Sequence, residues 1–288
     1  MSARFKAIPL LAVFGLVSLA AVLAGLAICS AGGVPLTLGL RNLAAWAIGA
    51  VVAAIIALKV RRSALPVFLW LLPVALMVSF QGPGLEGVHR WLAFGPVQAN
   101  VAMLLGPAFV VAFAARMDFW PTGSWLAILA ALALTAAQPD ASQATALAAV
   151  AVLAAWSFHA RPRSRLILVA LAIGAAVWAW QRPDPLAPVP EVEGVITLAF
   201  AQSVSMGALA LSLLILTAVA PTLAATAPAT RLPALSLGLF LLAWAAAPFL
   251  GAFPVPFLGM GPSPIVGAWL GVGLLAALSR DQAFANAA

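Results

Sequence analysis

Charge is what this sequence has least of. Only 7% of its 288 residues are charged, 65% are hydrophobic, and the mean hydropathy is +1.14. A soluble domain carries roughly 25% charge, and no soluble core of this length needs so much apolar surface. The single cysteine, Cys29, excludes an internal disulfide; it lies inside an apolar run and reads as a small core residue. There is no Walker-type glycine loop, no His/Cys cluster at metal-ligand spacing and no Ser-His-Asp arrangement, which argues against ATP hydrolysis and structural zinc. Acids are the scarcest charge, seven against fourteen Lys and Arg, and the resulting +7 invites a nucleic-acid reading. That reading fails once the charges are placed.

What the chain has in abundance is apolar runs of membrane-spanning length, recurring from end to end. These predict an all-α polytopic membrane protein, with residues 1–288 forming one integral membrane domain. Polar or Pro/Gly punctuation cuts the runs into ten segments near 8–30, 42–58, 64–80, 97–115, 124–137, 143–158, 166–180, 195–220, 233–252 and 263–279. Several fall short of the ~20 residues that span a bilayer. The first run follows Arg4 and Lys6 and is longer than the apolar part of a signal peptide, so it is expected to be a retained helix.

Ten spans put both termini on one side. If that side is cytoplasmic, its loops hold Arg4, Lys6, Lys59, Arg61, Arg62, Arg116, Arg161, Arg163, Arg165, Arg231 and Arg280, leaving only Arg41, Arg90 and Arg182 elsewhere. The basic surplus is therefore a topology signal of the positive-inside kind. His159 and the basic run "RPRSR" (161–165) read as inside-loop residues. The acids go the other way: Glu86, Asp140, Asp184, Glu191 and Glu193 fall outside, Asp118 and Asp281 inside. The expected outer loops are 81–96, 138–142, 181–194 and 252–262.

Four stretches resemble motifs of the SEDS (shape, elongation, division, sporulation) family, in family order, from about residue 80 to the end. "GVHRWLAFGPVQ" (87–98) resembles the family's Gly-x-Arg/Lys-Arg-Trp stretch with its following Gln-Pro-Ser-Glu. "QPD" (138–140) is similar to its Gln-Pro-Asp-x-Gly-Thr motif. "PVPEVEGVITLAFAQSVSMGALALSLLI" (188–215) resembles its His-Thr-Asp-Phe segment, and "PVPFLGMGPSPIVGAWLGVGLLAALSR" (254–280) its closing Pro-Leu-Pro-Phe run and last helix.

The resemblance implies a SEDS-like bundle of about ten transmembrane helices in a bacterial cytoplasmic membrane, both termini cytoplasmic. It implies a polymerase joining lipid-linked disaccharide-pentapeptide units (lipid II) into peptidoglycan strands at the outer face, with a class B penicillin-binding protein as partner. Such transfer needs a carboxylate base and cations for the pyrophosphate leaving group. Carried over by register, Glu193 takes the place of the family's catalytic Asp, fourteen residues before Gly207, with Glu191 second. Arg90, Trp91, Gln98, Asp140 and Ser263 are the expected substrate-binding residues. No metal ligand and no cofactor is assigned, and a divalent cation stays open as an aid to the pyrophosphate.

The departures are specific. Ala99-Asn100-Val101 replaces Pro-Ser-Glu, Ser142-Gln143 replaces Gly-Thr, Ala201-Gln202 replaces a Glu-Glu pair, and the outer loop before the eighth segment is short. An inert relative that binds a lipid-linked precursor, or scaffolds a membrane complex, is the alternative expectation. Each candidate also has a structural reading: Arg90 and Trp91 as an interfacial anchor, Asp140 as a helix cap, and the two glutamates as N-terminal charges on the eighth helix. Gln98 and Asn100 are expected to start the fourth helix. Asp184, in a proline-rich turn, receives no role.

Overall fold

The computed structural model describes residues 4–82, 84–95, 97–157 and 162–285. His159 and Arg161 lie outside the described residues. The helices are α1 (Arg4–Ala31), α2 (Leu36–Lys59), α3 (Leu65–Ser79), α4 (Val101–Arg116), α5 (Pro121–Ala137), α6 (Ala141–Ser157), α7 (Pro162–Gln181), α8 (Val195–Gln202), α9 (Val204–Val219), α10 (Pro228–Ala246) and α11 (Pro262–Ala285). A hairpin of strands β1 (Trp91–Phe94) and β2 (Val97–Asn100) stands between α3 and α4. Helices α5, α7, α10 and α11 each begin on a proline, whose fixed φ and missing N–H suit the first turn.

Among the described residues seven helical stretches are long and apolar enough to cross a membrane, and α4, α5 and α6 are apolar but only 16 or 17 residues long. The chain is an all-α multi-pass membrane protein. The three short helices are largely interior ones. Helix α4 is buried on nearly every side from Val101 to Ala114 and packs against α3, α10 and α11. A helix apolar all round belongs in such a position.

With lipid tails as apolar as Leu, helices associate here through close packing of small residues. Gly273 of α11 lies so near α2 that an added Cβ would stand 2.7 Å from the Cα of Ala53. Gly271 faces Pro107 of α4 at 2.8 Å by the same measure. Gly25 of α1 touches the backbone of Leu258, which seats the α10–α11 loop against α1.

The structure corrects two expected boundaries. The fourth segment does not begin at 97: residues 97–100 are β2, and α4 starts at Val101, where the Asn100 side chain accepts from Met103 N–H at 3.0 Å. Asn100 is the helix cap; Gln98 is not part of the helix. The eighth segment is not continuous. Ser203 is extended (φ −168°, ψ 157°), and its hydroxyl accepts from Met206 N–H at 3.1 Å, restarting the chain as α9. Freed backbone at such a break needs side-chain partners inside a membrane, and Ser203 supplies one.

Alternation of the helices brings the α3–β1, α5–α6, α7–α8 and α10–α11 loops to one end of the bundle. Hydrogen bonds knit them together there: Arg90 to Pro139 O, Val255 N to Val192 O, and Met260 N to Glu191 O.

Candidate functional site

The hairpin is antiparallel, with Trp91 opposite Asn100 and Ala93 opposite Gln98. Val101 N–H donates to Arg90 O at 2.9 Å and ties the hairpin base to α4. The Ser263 hydroxyl at the start of α11 accepts from Asn100 N–H at 3.0 Å, so Ser263 anchors the hairpin.

Arg90 is 8% exposed despite its charge. Its Nη2 donates to Pro139 O at 2.6 Å and to Asp184 Oδ2 at 2.7 Å, and its Nε to Gln138 O at 3.4 Å. A buried guanidinium needs such partners. The bonds join three loops through one side chain. Asp140 serves two purposes at once. Its Oδ1 caps α6, accepting from Gln143 N–H at 3.3 Å and from the Ser142 hydroxyl at 3.0 Å. Its Oδ2 is buried without a hydrogen-bond partner, 3.9 Å from Arg90 Nε.

Residues 189–194 form a helical turn ahead of α8, closed by Glu193 N–H to Val189 O at 2.9 Å. The Glu193 carboxylate reaches back to accept from Val189 N–H at 2.7 Å. It does not cap α8, whose N-cap, Gly194, has no side-chain cap. Burial pushes the Glu193 carboxyl above the ordinary 4.5. The hydrogen bonds from Val189 and from its own amide oppose the rise, and the nearby Asp184 and Glu191 charges add to it. Glu191 contributes its carbonyl, which accepts from Met260 N–H at 2.8 Å.

Arg90, Trp91, Asp140, Asp184 and Glu193 border one cavity of about 70 Å³, walled on its apolar side by Leu186 and Phe253. Of the residues expected to bind substrate, Arg90, Trp91 and Asp140 are brought together with Glu193. Gln98 is exposed on β2 and Ser263 is spent on the hairpin, and neither lines the cavity; nor does Glu191. Among the described residues no cluster of three metal-type ligands forms. Asp184 was missed by the sequence reading. Its partner lies 94 residues away, and the only local signal was an acid in an acid-poor chain. A buried amide ties α2 to the α10–α11 loop: Asn42 donates to Gly259 O at 2.8 Å.

No protein-family model and no curated protein sequence matches the chain. Solved structures do. An aspartate-to-alanine variant of the Thermus thermophilus rod shape determining protein RodA aligns with a TM-score of 0.69 at 19% identity, over 93% of this chain and 96% of that one. The unsubstituted RodA aligns at 0.65 and 18%, with the same coverage. The chain has the RodA fold. A chain from a structure describing the coordination of polymerization and crosslinking by a peptidoglycan synthase complex aligns at 0.67 and 18%, over 93% and 97%. The SEDS-like bundle therefore extends over 93% of the chain. At these identities the likeness is one of fold, and the chemistry has to be argued from the cavity.

Proposed function

We propose that this protein is a SEDS-type glycosyltransferase that polymerises lipid-linked disaccharide precursors, with Glu193 as general base. The observation that carries it is the convergence of Glu193, Asp140 and Arg90 on one cavity, with the Glu193 carboxyl raised toward the pH at which a base is most effective. Glu193 would accept the proton of the attacking sugar hydroxyl. Arg90 keeps Nη1 free of hydrogen bonds among the described residues, and that nitrogen would meet the pyrophosphate of the leaving group. Trp91 offers an apolar wall beside them. A class B penicillin-binding protein is the partner this reading calls for. That one of the similar chains comes from a synthase complex that couples polymerization to crosslinking supports it.

A second reading has its own support. The cavity of about 70 Å³ is far smaller than the roughly 300–1,000 Å³ of small-molecule sites, and the Arg90–Asp184 pair closes one wall. A chain held in this state would bind a precursor or scaffold a complex without catalysis. The deciding experiment is a glycan-polymerisation assay on purified protein with lipid-linked disaccharide-pentapeptide, with and without a class B partner. Strand formation is expected. Precursor binding without strands would establish the inert reading instead.

The proposal places the cavity at the outer face and both termini in the cytoplasm. Cysteines introduced at Ala187 and Ala252 are expected to react with a membrane-impermeant maleimide in intact cells, and one at Arg163 only after lysis. The opposite pattern would overturn this orientation.

A further inference from the structure

A second cavity lies at the other end of the bundle and plays no part in the proposed chemistry. It measures about 840 Å³ and is lined by Leu58, Lys59, Arg61, Arg62, Arg280 and Asp281, with Ser63 at its edge. Its frame is rigid. Arg280 of α11 donates through Nη1 to Ala57 O at 2.7 Å and through Nη2 to Val60 O at 2.6 Å, closing the carbonyls that the last turn of α2 leaves open. Asp281 pairs with the same guanidinium. The chain then turns through Val60 into a short 3-10 turn, Arg62–Ala64, where Ala64 N–H donates to Arg61 O at 2.9 Å.

Arg280 and Asp281 neutralise one another. Lys59, Arg61 and Arg62 have no carboxylate or hydrogen-bond partner among the described residues. Three unpaired cations therefore face a cavity whose apolar lining among the described residues is Leu58, 61% exposed. Cations packed this closely repel one another unless an anion joins them. An apolar wall directly beneath them is of no use to a soluble anion, but it suits the first carbons of an acyl chain, along which Lys and Arg stems also lie. We infer that this cavity holds the phosphate of an anionic phospholipid headgroup, clamped by Lys59, Arg61 and Arg62 between the ends of α2 and α11. Positive residues at this end of a membrane protein are expected for orientation alone. Orientation, however, does not require them to surround a preformed cavity.

Native mass spectrometry of the full chain released from detergent tests this, with phosphatidylglycerol, phosphatidylcholine and free glycerol phosphate as probes. Wild-type protein is expected to retain one phosphatidylglycerol in preference to phosphatidylcholine, and not to retain glycerol phosphate. Each basic residue near a lipid phosphate contributes about 1 kcal/mol. Arg61→Gln/Arg62→Gln should therefore weaken retention about 30-fold. Arg163→Gln/Arg231→Gln removes the same charge from two exposed positions outside the cavity and should leave retention unchanged. Equal loss in both double variants, or equal retention of the two lipids, would show a diffuse surface attraction and overturn the site. Retention of glycerol phosphate as strong as that of the lipid would overturn the lipid as its source. Circular dichroism and gel filtration of each variant exclude misfolding as the cause of any loss.

Discussion

Glu193→Gln is expected to lower strand polymerisation by a hundredfold or more while leaving the protein folded and able to bind precursor. A positioned general base contributes roughly 10²–10⁴-fold, and glutamine cannot accept the proton. The fold should survive because the glutamine carbonyl still accepts from Val189 N–H, the hydrogen bond that ties the side chain to its turn. Glu191→Gln should do much less, because Glu191 works through its backbone carbonyl and does not border the cavity. Rates on purified variants, with precursor binding measured on the same samples, check both. Full activity in Glu193→Gln would remove Glu193 from the mechanism.

Arg90→Ala is expected to have the largest effect on stability. It strips the hydrogen bonds from Gln138 O and Pro139 O and leaves Asp184 unpaired and Asp140 without its nearest cation. Breaking a buried pair from one side costs about 3–5 kcal/mol. Asp184 is partly wet, with 29% of its side chain exposed, so about 3 kcal/mol is the better figure. That corresponds to a fall of roughly 5–10 °C in Tm, measurable by thermal unfolding in detergent. Arg90→Lys should recover part of it, since lysine keeps the charge but cannot reach three acceptors with a planar fork. Asp184→Asn should cost less than Arg90→Ala, because the amide still accepts from the guanidinium. If Arg90 also contacts pyrophosphate, Arg90→Ala should weaken precursor binding far more than Trp91→Phe. An unchanged Tm in Arg90→Ala would mean that the three loops are held by other contacts.

The helices were legible because a bilayer demands long apolar runs, and this chain interrupts them with so little charge. The same greasiness hid what lies inside the runs. The break at Ser203 sits within a long apolar run, so only the short polar cluster of Gln202, Ser203 and Ser205 marked it. Of the hairpin, residues 91–96 read as outer loop and 97–100 as the start of the fourth helix. Four-residue strands are too short for alternation to register. Within the site, the register from Gly207 picked Glu193, and the motifs picked Arg90 and Asp140; all three reach the cavity. Gln98 and Ser263 were chosen by the same motif logic and do not. Gln98 is exposed on β2, and Ser263 is consumed in a bond to Asn100. The Arg90–Asp184 pair was beyond sequence reasoning because only the folded loops bring these residues together.

The pH dependence of strand synthesis by the wild-type protein tests the central claim most directly. If Glu193 is the base in a partly buried site, polymerisation should fall on the acid side with a midpoint above 4.5, because the rate is lost as that carboxylate takes up its proton. A midpoint at the ordinary glutamate value, or no strands at any pH from protein that still binds precursor, would contradict it.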